Sequence, residues 1–407
     1  MDADDIRRQW DVIPGGKAEE AGSRMEGFRL EPIRIAGLDK IPHRQWIYGT
    51  HLIRGYVTLL VAPGGTGKSS LLLAMLMGIA INRSLLGAHI FQPCNTALLN
   101  LEDPQDEIAR RMAALAIRYG VTQREIEDRF FTSPEGQVVT IAANDGFSVC
   151  HPDEKAIIAE LKARNIGVLA VDPFAESHTL EENSNPQMIQ AAAAWRRVAR
   201  TCNCAVILSH HVRKGPAESI EAARGAKALS DSARIGLLLS NMTAEEAVSL
   251  DVPEDNRQQY VRLDDAKSNM AQRAPKATWF HLNNVTLDNA DEIYTRGDQV
   301  GVIEAWQPTS TFGDLTDKQC NAALDTIEAG PEPGSRYTRH RTSEDTGRWA
   351  GNVLVDQLGV SDARAKAMLA NWLKAGVLRV EKYYDKAQRH ERSGLFVNDT
   401  NRPGERL

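Results

Sequence analysis

The sequence predicts an α/β protein: a mostly parallel β-sheet with helices on both faces, an antiparallel extension at one edge, and a small second domain near the C-terminus. Three observations predict it. Short apolar runs alternate with helix-length segments through the first half of the chain, the order that builds a parallel sheet. Two of those runs end in acids, and another enters a Gly-rich turn that opens a helix. Toward the C-terminus the pattern changes to helix, tight turn, helix and two short strands.

Taken in order, residues 1–45 carry little periodicity and read as a leader. A core domain is expected over 46–306. It begins with the apolar run Val57–Ala62, the Gly-rich turn, and a helix from Lys68 to about Ile81. The next strand, Thr96–Leu101, runs into Glu102-Asp103-Pro104, where Asp103 suits a helix N-cap and Pro104 the first helical position. Short strand-like runs follow around Phe130 and Val138, then a helix near Glu154–Arg164 and strand Val168–Val171. Asn185-Pro186 opens another helix before strand Ala205–Leu208. The later runs Ile235–Leu239, Tyr260–Leu263 and Thr278–Leu282 lack intervening helices and read as the antiparallel edge. A polar linker is expected at 307–316, a second domain at 317–400 and a tail at 401–407.

Composition narrows the function classes. The chain has 407 residues, 42% hydrophobic and 25% charged, the mix of a globular enzyme rather than a disordered or fibrous chain. No run approaches the ~18 apolar residues of a spanning helix, so no membrane partner is expected. The acidic start Met1-Asp2-Ala3-Asp4-Asp5 does not resemble a secretory leader. Five scattered cysteines lack zinc-site spacing and suggest no disulfide framework. Cytoplasmic location is therefore expected. Net charge is −6, so a nucleic-acid partner must be met by a local basic patch. Ser361–Arg392 provides one, with eight basic and four acidic residues.

Ala62-Pro63-Gly64-Gly65-Thr66-Gly67-Lys68-Ser69-Ser70, between a strand and a helix, has the context of a phosphate-binding P-loop. Glycines let backbone N–H groups turn toward phosphate oxygens, and the helix N-terminus adds its positive end. Lys68 suits the β- and γ-phosphates of ATP, and Ser69 suits Mg²⁺. Ala62 replaces the usual first glycine, which is tolerable where φ stays negative. Asp172, delivered by an apolar strand, suits the metal side. Glu102 ends the strand after the P-loop helix and suits a base that orients or deprotonates water.

The set Gly64–Ser69, Leu101-Glu102-Asp103-Pro104, Val171-Asp172-Pro173, Ser209-His210-His211 and Ala223-Arg224-Gly225-Ala226 resembles the motif series of RepA-type replicative helicases of plasmids and phages, a RecA-fold hexameric group. The resemblance covers about residues 45–285. It implies a homo-oligomeric ring with ATP between subunits and single-stranded DNA in the channel, with a replication initiator or primase as a possible partner. It implies that Glu102 is the catalytic base, that His210 or His211 senses the γ-phosphate, and that Arg224 is an arginine finger. In an ordinary AAA enzyme a Glu follows the metal aspartate; here Pro173 stands there, in keeping with a base on the neighbouring strand. Arg213 and Lys214 suit DNA phosphates. Lys267 matches a basic trans-acting position, whose usual second arginine is Asn269 here. The acidic loop Phe174–Asn185 is a poor phosphate binder, so DNA contact falls mainly on Arg213 and Lys214 or that loop faces a subunit.

Val353–Leu358, Gly359-Val360-Ser361 and Asp362–Ala375 read as helix, turn, helix, followed by strands Leu378–Tyr384 and Leu395–Val397 around a basic tip. That is the outline of a winged helix, with Arg364 and Lys366 the exposed DNA candidates; winged helices also dock proteins. Three functions remain: a DNA helicase or translocase driven by ATP, a DNA-bound ATPase switch or loader, and a DNA-binding regulator whose assembly ATP controls.

Overall fold

The computed structural model describes residue 37 and residues 40–404, apart from 147, 213–225, 251, 275–276, 309–311, 313–314, 342–345 and 386–387. The expected leader lies almost wholly outside those residues, and every element named below belongs to the unit Trp46–Leu407.

Strands β1 (Trp46–Tyr48) and β2 (Leu52–Ile53) form a small antiparallel pair. Strand β3 (Val57–Pro63) leads through the Gly-rich loop into helix α1 (Lys68–Ile81). Then come β4 (Asn95–Asn100), α2 (Gln105–Tyr119), the short α3 (Gln123–Ile126) and β5 (Phe130–Thr132). A two-residue pair, β6 (Ala143–Asn144) with β7 (Val149–Cys150), precedes α4 (Glu154–Ala163), β8 (Ile166–Asp172), α5 (Asn185–Cys202) and β9 (Ala205–Val212). After α6 (Ala226–Ser232) and β10 (Ile235–Asn241), the short α7 (Ala244–Ser249) leads to β11 (Tyr260–Ser268), β12 (Thr278–Thr286) and β13 (Gln299–Trp306).

Nine strands make one sheet in the order β13-β12-β11-β10-β3-β9-β8-β4-β5. From β10 to β5 every pairing is parallel; from β10 through β13 every pairing is antiparallel. This corrects the expectation for Ile235–Leu239. Helix α6 does intervene before it, and β10 is the last parallel strand rather than the first of the antiparallel edge. Two further expectations shift. Val138 is exposed and lies in no strand, and β9 runs on to Val212 instead of stopping at Leu208.

Helices α1 and α2 pack on one face of the sheet, and α4 and α5 on the other. Helix α1 (KSSLLLAMLMGIAI) is apolar all round, the composition of a helix with no solvent face. It is buried from Ser70 to Ala80. The cause is β12 and β13, whose Phe280, Val300, Val302 and Ile303 join the α1 side of the core. Ser70 Oγ accepts from Ile303 N at 3.1 Å, fastening the helix to that strand.

The C-terminal elements have their own apolar cluster. Helices α8 (Asp317–Ala329), α9 (Ala350–Leu358) and α10 (Asp362–Lys374) pack with the antiparallel pair β14 (Leu378–Asp385) and β15 (His390–Val397). Gly359 ends α9 at φ +65°, the left-handed geometry that a tight turn asks of glycine. Ser361 caps α10, its hydroxyl accepting from Arg364 N at 3.2 Å.

Candidate nucleotide site

Parallel strands deliver their following loops to one end of a sheet, and ligands collect there. β3, β4, β8 and β9 lie side by side as β3-β9-β8-β4. Their C-terminal ends bring the Gly-rich loop, Glu102, Asp172 and the Ser209–His211 segment together.

The loop is shaped by its glycines. Gly65 and Gly67 have φ of +77° and +76°, conformations that cost a side-chain-bearing residue about 1–2 kcal/mol. A Cβ at Gly67 would also meet Leu282 Cδ2 at 2.6 Å, so that side chain would have to shift. Ala62 belongs to β3 with negative φ, so its methyl group is accommodated inside the core. Thr66 Oγ1 donates to Pro63 O at 2.8 Å and closes the loop on itself.

Lys68 is buried, and its ammonium lies 3.1 Å from Asp172 Oδ1 and 3.0 Å from His211 Nε2. Asp172 is the hub. Its Oδ2 accepts from Ser69 Oγ at 2.9 Å and its Oδ1 from Ser209 Oγ at 2.6 Å. Burial pushes the Asp172 carboxyl upward, yet Lys68, Ser209 and Ser69 together hold it below the usual carboxylate range. It is therefore a committed anion at neutral pH.

Glu102 stands just past β4, largely exposed, with Oε2 at 3.6 Å from His211 Nε2. His211 thus touches both the P-loop lysine and the candidate base. Its neighbour does not. Side chains alternate along a strand, so Ile207, Ser209 and His211 share the α1 side while His210 turns to the other face. There His210 is buried, its ring 6.4 Å from that of Phe174. Of the two histidines left open by the sequence, geometry brings His211 into the site.

Asp103 departs from expectation. Pro104 occupies the N-cap of α2, with Gln105 its first helical residue. The Asp103 carboxylate instead pairs with Arg111 at 2.6 Å, about two turns along α2. The Ser70 hydroxyl faces β13, as described. Lys267 sits beside a bulge where β11 slips against β10, and its ammonium donates to Ser230 O at 2.6 Å. Arg364 is half-buried and Lys366 exposed on α10, apart from the loop cluster. Arg213, Lys214 and Arg224 lie outside the described residues. Ser209 is a functional residue that sequence reasoning misses; its contact with Asp172 depends on β9 lying beside β8, which no short motif signals.

A cavity of about 900 Å³ opens beside the loop, lined among others by Lys68, Ser69, His211, Arg110, Tyr294 and Arg296. Among the described residues there is no cluster of three or more His, Cys, Asp or Glu that would cage a metal. One hydroxyl and one carboxylate, Ser69 and Asp172, is nonetheless the donor set that suits Mg²⁺, which keeps waters and takes its other ligands from substrate phosphates.

Fold and site together define a P-loop core on a mostly parallel sheet. A family model described as an AAA domain matches residues 26–217, which include the loop, Glu102, Asp172 and His211. Among solved structures, the chain is 15% identical to a RadB recombinase at a TM-score of 0.37, covering 56% of this chain and 88% of that one. It is 15% identical to a KaiC-like protein of the hyperthermophilic archaeon Pyrococcus horikoshii OT3 at a TM-score of 0.41, covering 65% and 100%. No helix among the described residues is long and apolar enough to cross a membrane.

Proposed function

We propose that this chain hydrolyses ATP with Mg²⁺ and uses the energy to move on single-stranded DNA, as a ring-forming helicase or translocase serving replication of a plasmid, phage or other mobile element. The observation that carries the reading is the contact of His211 with both Lys68 and Glu102, which joins the phosphate lysine to the base.

In this reading the loop N–H groups and Lys68 bind the triphosphate. Ser69 and Asp172 hold Mg²⁺, which when bound offsets phosphate charge. Glu102, on the neighbouring strand end, orients water and takes its proton. Its exposure fits a base whose closed setting forms only when another subunit covers it. His211 loses a γ-phosphate contact after hydrolysis, and because it is the penultimate residue of β9 the change passes to the chain that follows the strand. Arg213 and Lys214 in that segment would meet DNA phosphates, and Arg224 and Lys267 would act on a neighbour's nucleotide. The C-terminal elements, with Arg364 and Lys366, add a winged-helix-like DNA or protein contact.

The test is strand displacement on a forked DNA duplex with ATP and Mg²⁺. A motor releases the labelled strand, and Lys68→Ala does not. ATP turnover stimulated by single-stranded DNA without any displacement would replace the motor with a switch or loader.

A further inference from the structure

At the end of the sheet opposite the phosphate loop, four arginines gather and one of them is paired. Arg196, Arg197 and Arg200 lie on the last turns of α5, and Arg234 stands just before β10, where α6 packs along α5. Arg197 forms a two-point ion pair with Glu154 at 2.9 and 2.6 Å. Among the described residues, no carboxylate forms an ion pair with Arg196, Arg200 or Arg234.

Arg196 and Arg200 stand one turn apart on the same helix face. The charges of Arg200, Arg234 and Arg197 all press on Arg196, whose pKa is lowered by burial and then by those three neighbours. Lys267 and Asp231 lie at the same end, with Asp231 and Arg234 acting on the lysine in opposite senses. Acids are not scarce in a chain of net charge −6, so the lack of a carboxylate partner among the described residues calls for a reason. Like charges held together without compensation cost stability, and such costs persist where a ligand uses them.

The form of the site narrows the ligand. Arg200 and Arg234 are exposed and Arg196 half-exposed. Recognition here rests on long, separate cationic side chains rather than on a backbone cradle. That suits phosphates strung along a polymer. We propose that Arg196, Arg200 and Arg234 form a docking site for a nucleic-acid phosphate backbone, at the end of the sheet away from the phosphate loop. The partner class is shared with the DNA-acting reading above, and the proposal rests on that reading to this extent.

Binding of a fluorescein-labelled oligothymidylate is measured by anisotropy across a KCl series, for the full chain and for R196Q/R200Q/R234Q. The expected result is a salt dependence flatter by about 2 logarithmic units per unit and an affinity lower by on the order of tenfold at low salt, three phosphate contacts being lost. ATP turnover without DNA is expected to be unchanged. The melting temperature of the variant is expected to rise in low salt, because mutual repulsion is removed; arginines with a merely structural role would lower it. Binding by the variant with the parent's slope and affinity overturns the proposal. So does loss of oligomeric mass in sedimentation with DNA binding intact, which would make the patch a contact with a second copy. Failure of the parent chain to bind DNA at any salt concentration sinks the DNA-acting reading as well, so the two failures are distinguishable.

Discussion

Asp172 carries the site's electrostatics. It joins Lys68, Ser69 and Ser209 through one carboxylate in a buried setting. Removing one member of a buried ion pair leaves the other charge uncompensated, at a cost of about 3 kcal/mol or more. Asp172→Asn is therefore expected to lose about that much unfolding free energy in urea, and Lys68→Met/Asp172→Asn to regain most of it. A double variant that falls by the sum of the singles would show that the two do not act as a unit. The pH dependence has a definite sign. The folded-state pKa of Asp172 is lowered, so its contribution is complete above the ordinary carboxylate value of about 3.9 and fades as pH falls through the lower, folded value. The stability gap between the parent and Asp172→Asn is expected to be constant near neutrality and to narrow below about pH 4; a gap that widens on acidification would contradict it. At this scale the sequence was informative where chemistry is local. Gly64–Ser69 and Asp172 could be picked out because each sits at a strand end. Ser209 could not, because its role depends on β9 lying beside β8, a neighbour relation that no short motif encodes.

Among the elements, the phosphate loop is held by a strand far along the chain. Leu282 of β12 presses on Gly67, and β13 fastens to Ser70. Gly67→Ala is expected to cost about 1–2 kcal/mol from its positive φ alone, plus the collision with Leu282, and to weaken ATP affinity with it. Adding Leu282→Ala should recover the collision and leave the backbone cost, as read by thermal melting. Full recovery would mean that the loop adopts another path. The same long-range packing explains what was illegible. The all-apolar pattern of α1 announced a helix without a solvent face, but not that β12 and β13 supply its cover. Strand β13 carried too few cues beside its polar flanks to be read at all. Helix α6 spans seven described residues, too few for its pattern to set Ile235–Leu239 apart from the antiparallel edge. The choice between His210 and His211 turned on strand length: once β9 is known to reach Val212, alternation assigns His211 to the site.

For the whole molecule, the proposed mechanism requires more than one copy. Glu102 is exposed, and the residues proposed to act in trans would have to come from a neighbour. With a nonhydrolysable ATP analogue and single-stranded DNA, particle images are expected to show closed rings. A chain that stays monomeric under every ligand condition would contradict the proposed arrangement. The C-terminal elements add a second apolar cluster, and their helix-turn-helix outline was legible from Gly359, Ser361 and the apolar spacing of Ala365, Met368 and Leu369. The most direct test of the central claim is ATP turnover by Glu102→Gln in the presence of single-stranded DNA, read alongside ATP affinity. Turnover is expected to fall by about 10²-fold or more while ATP binding is retained. Undiminished turnover in that variant would contradict the assignment of Glu102 as the base, and with it the mechanism built on this cluster.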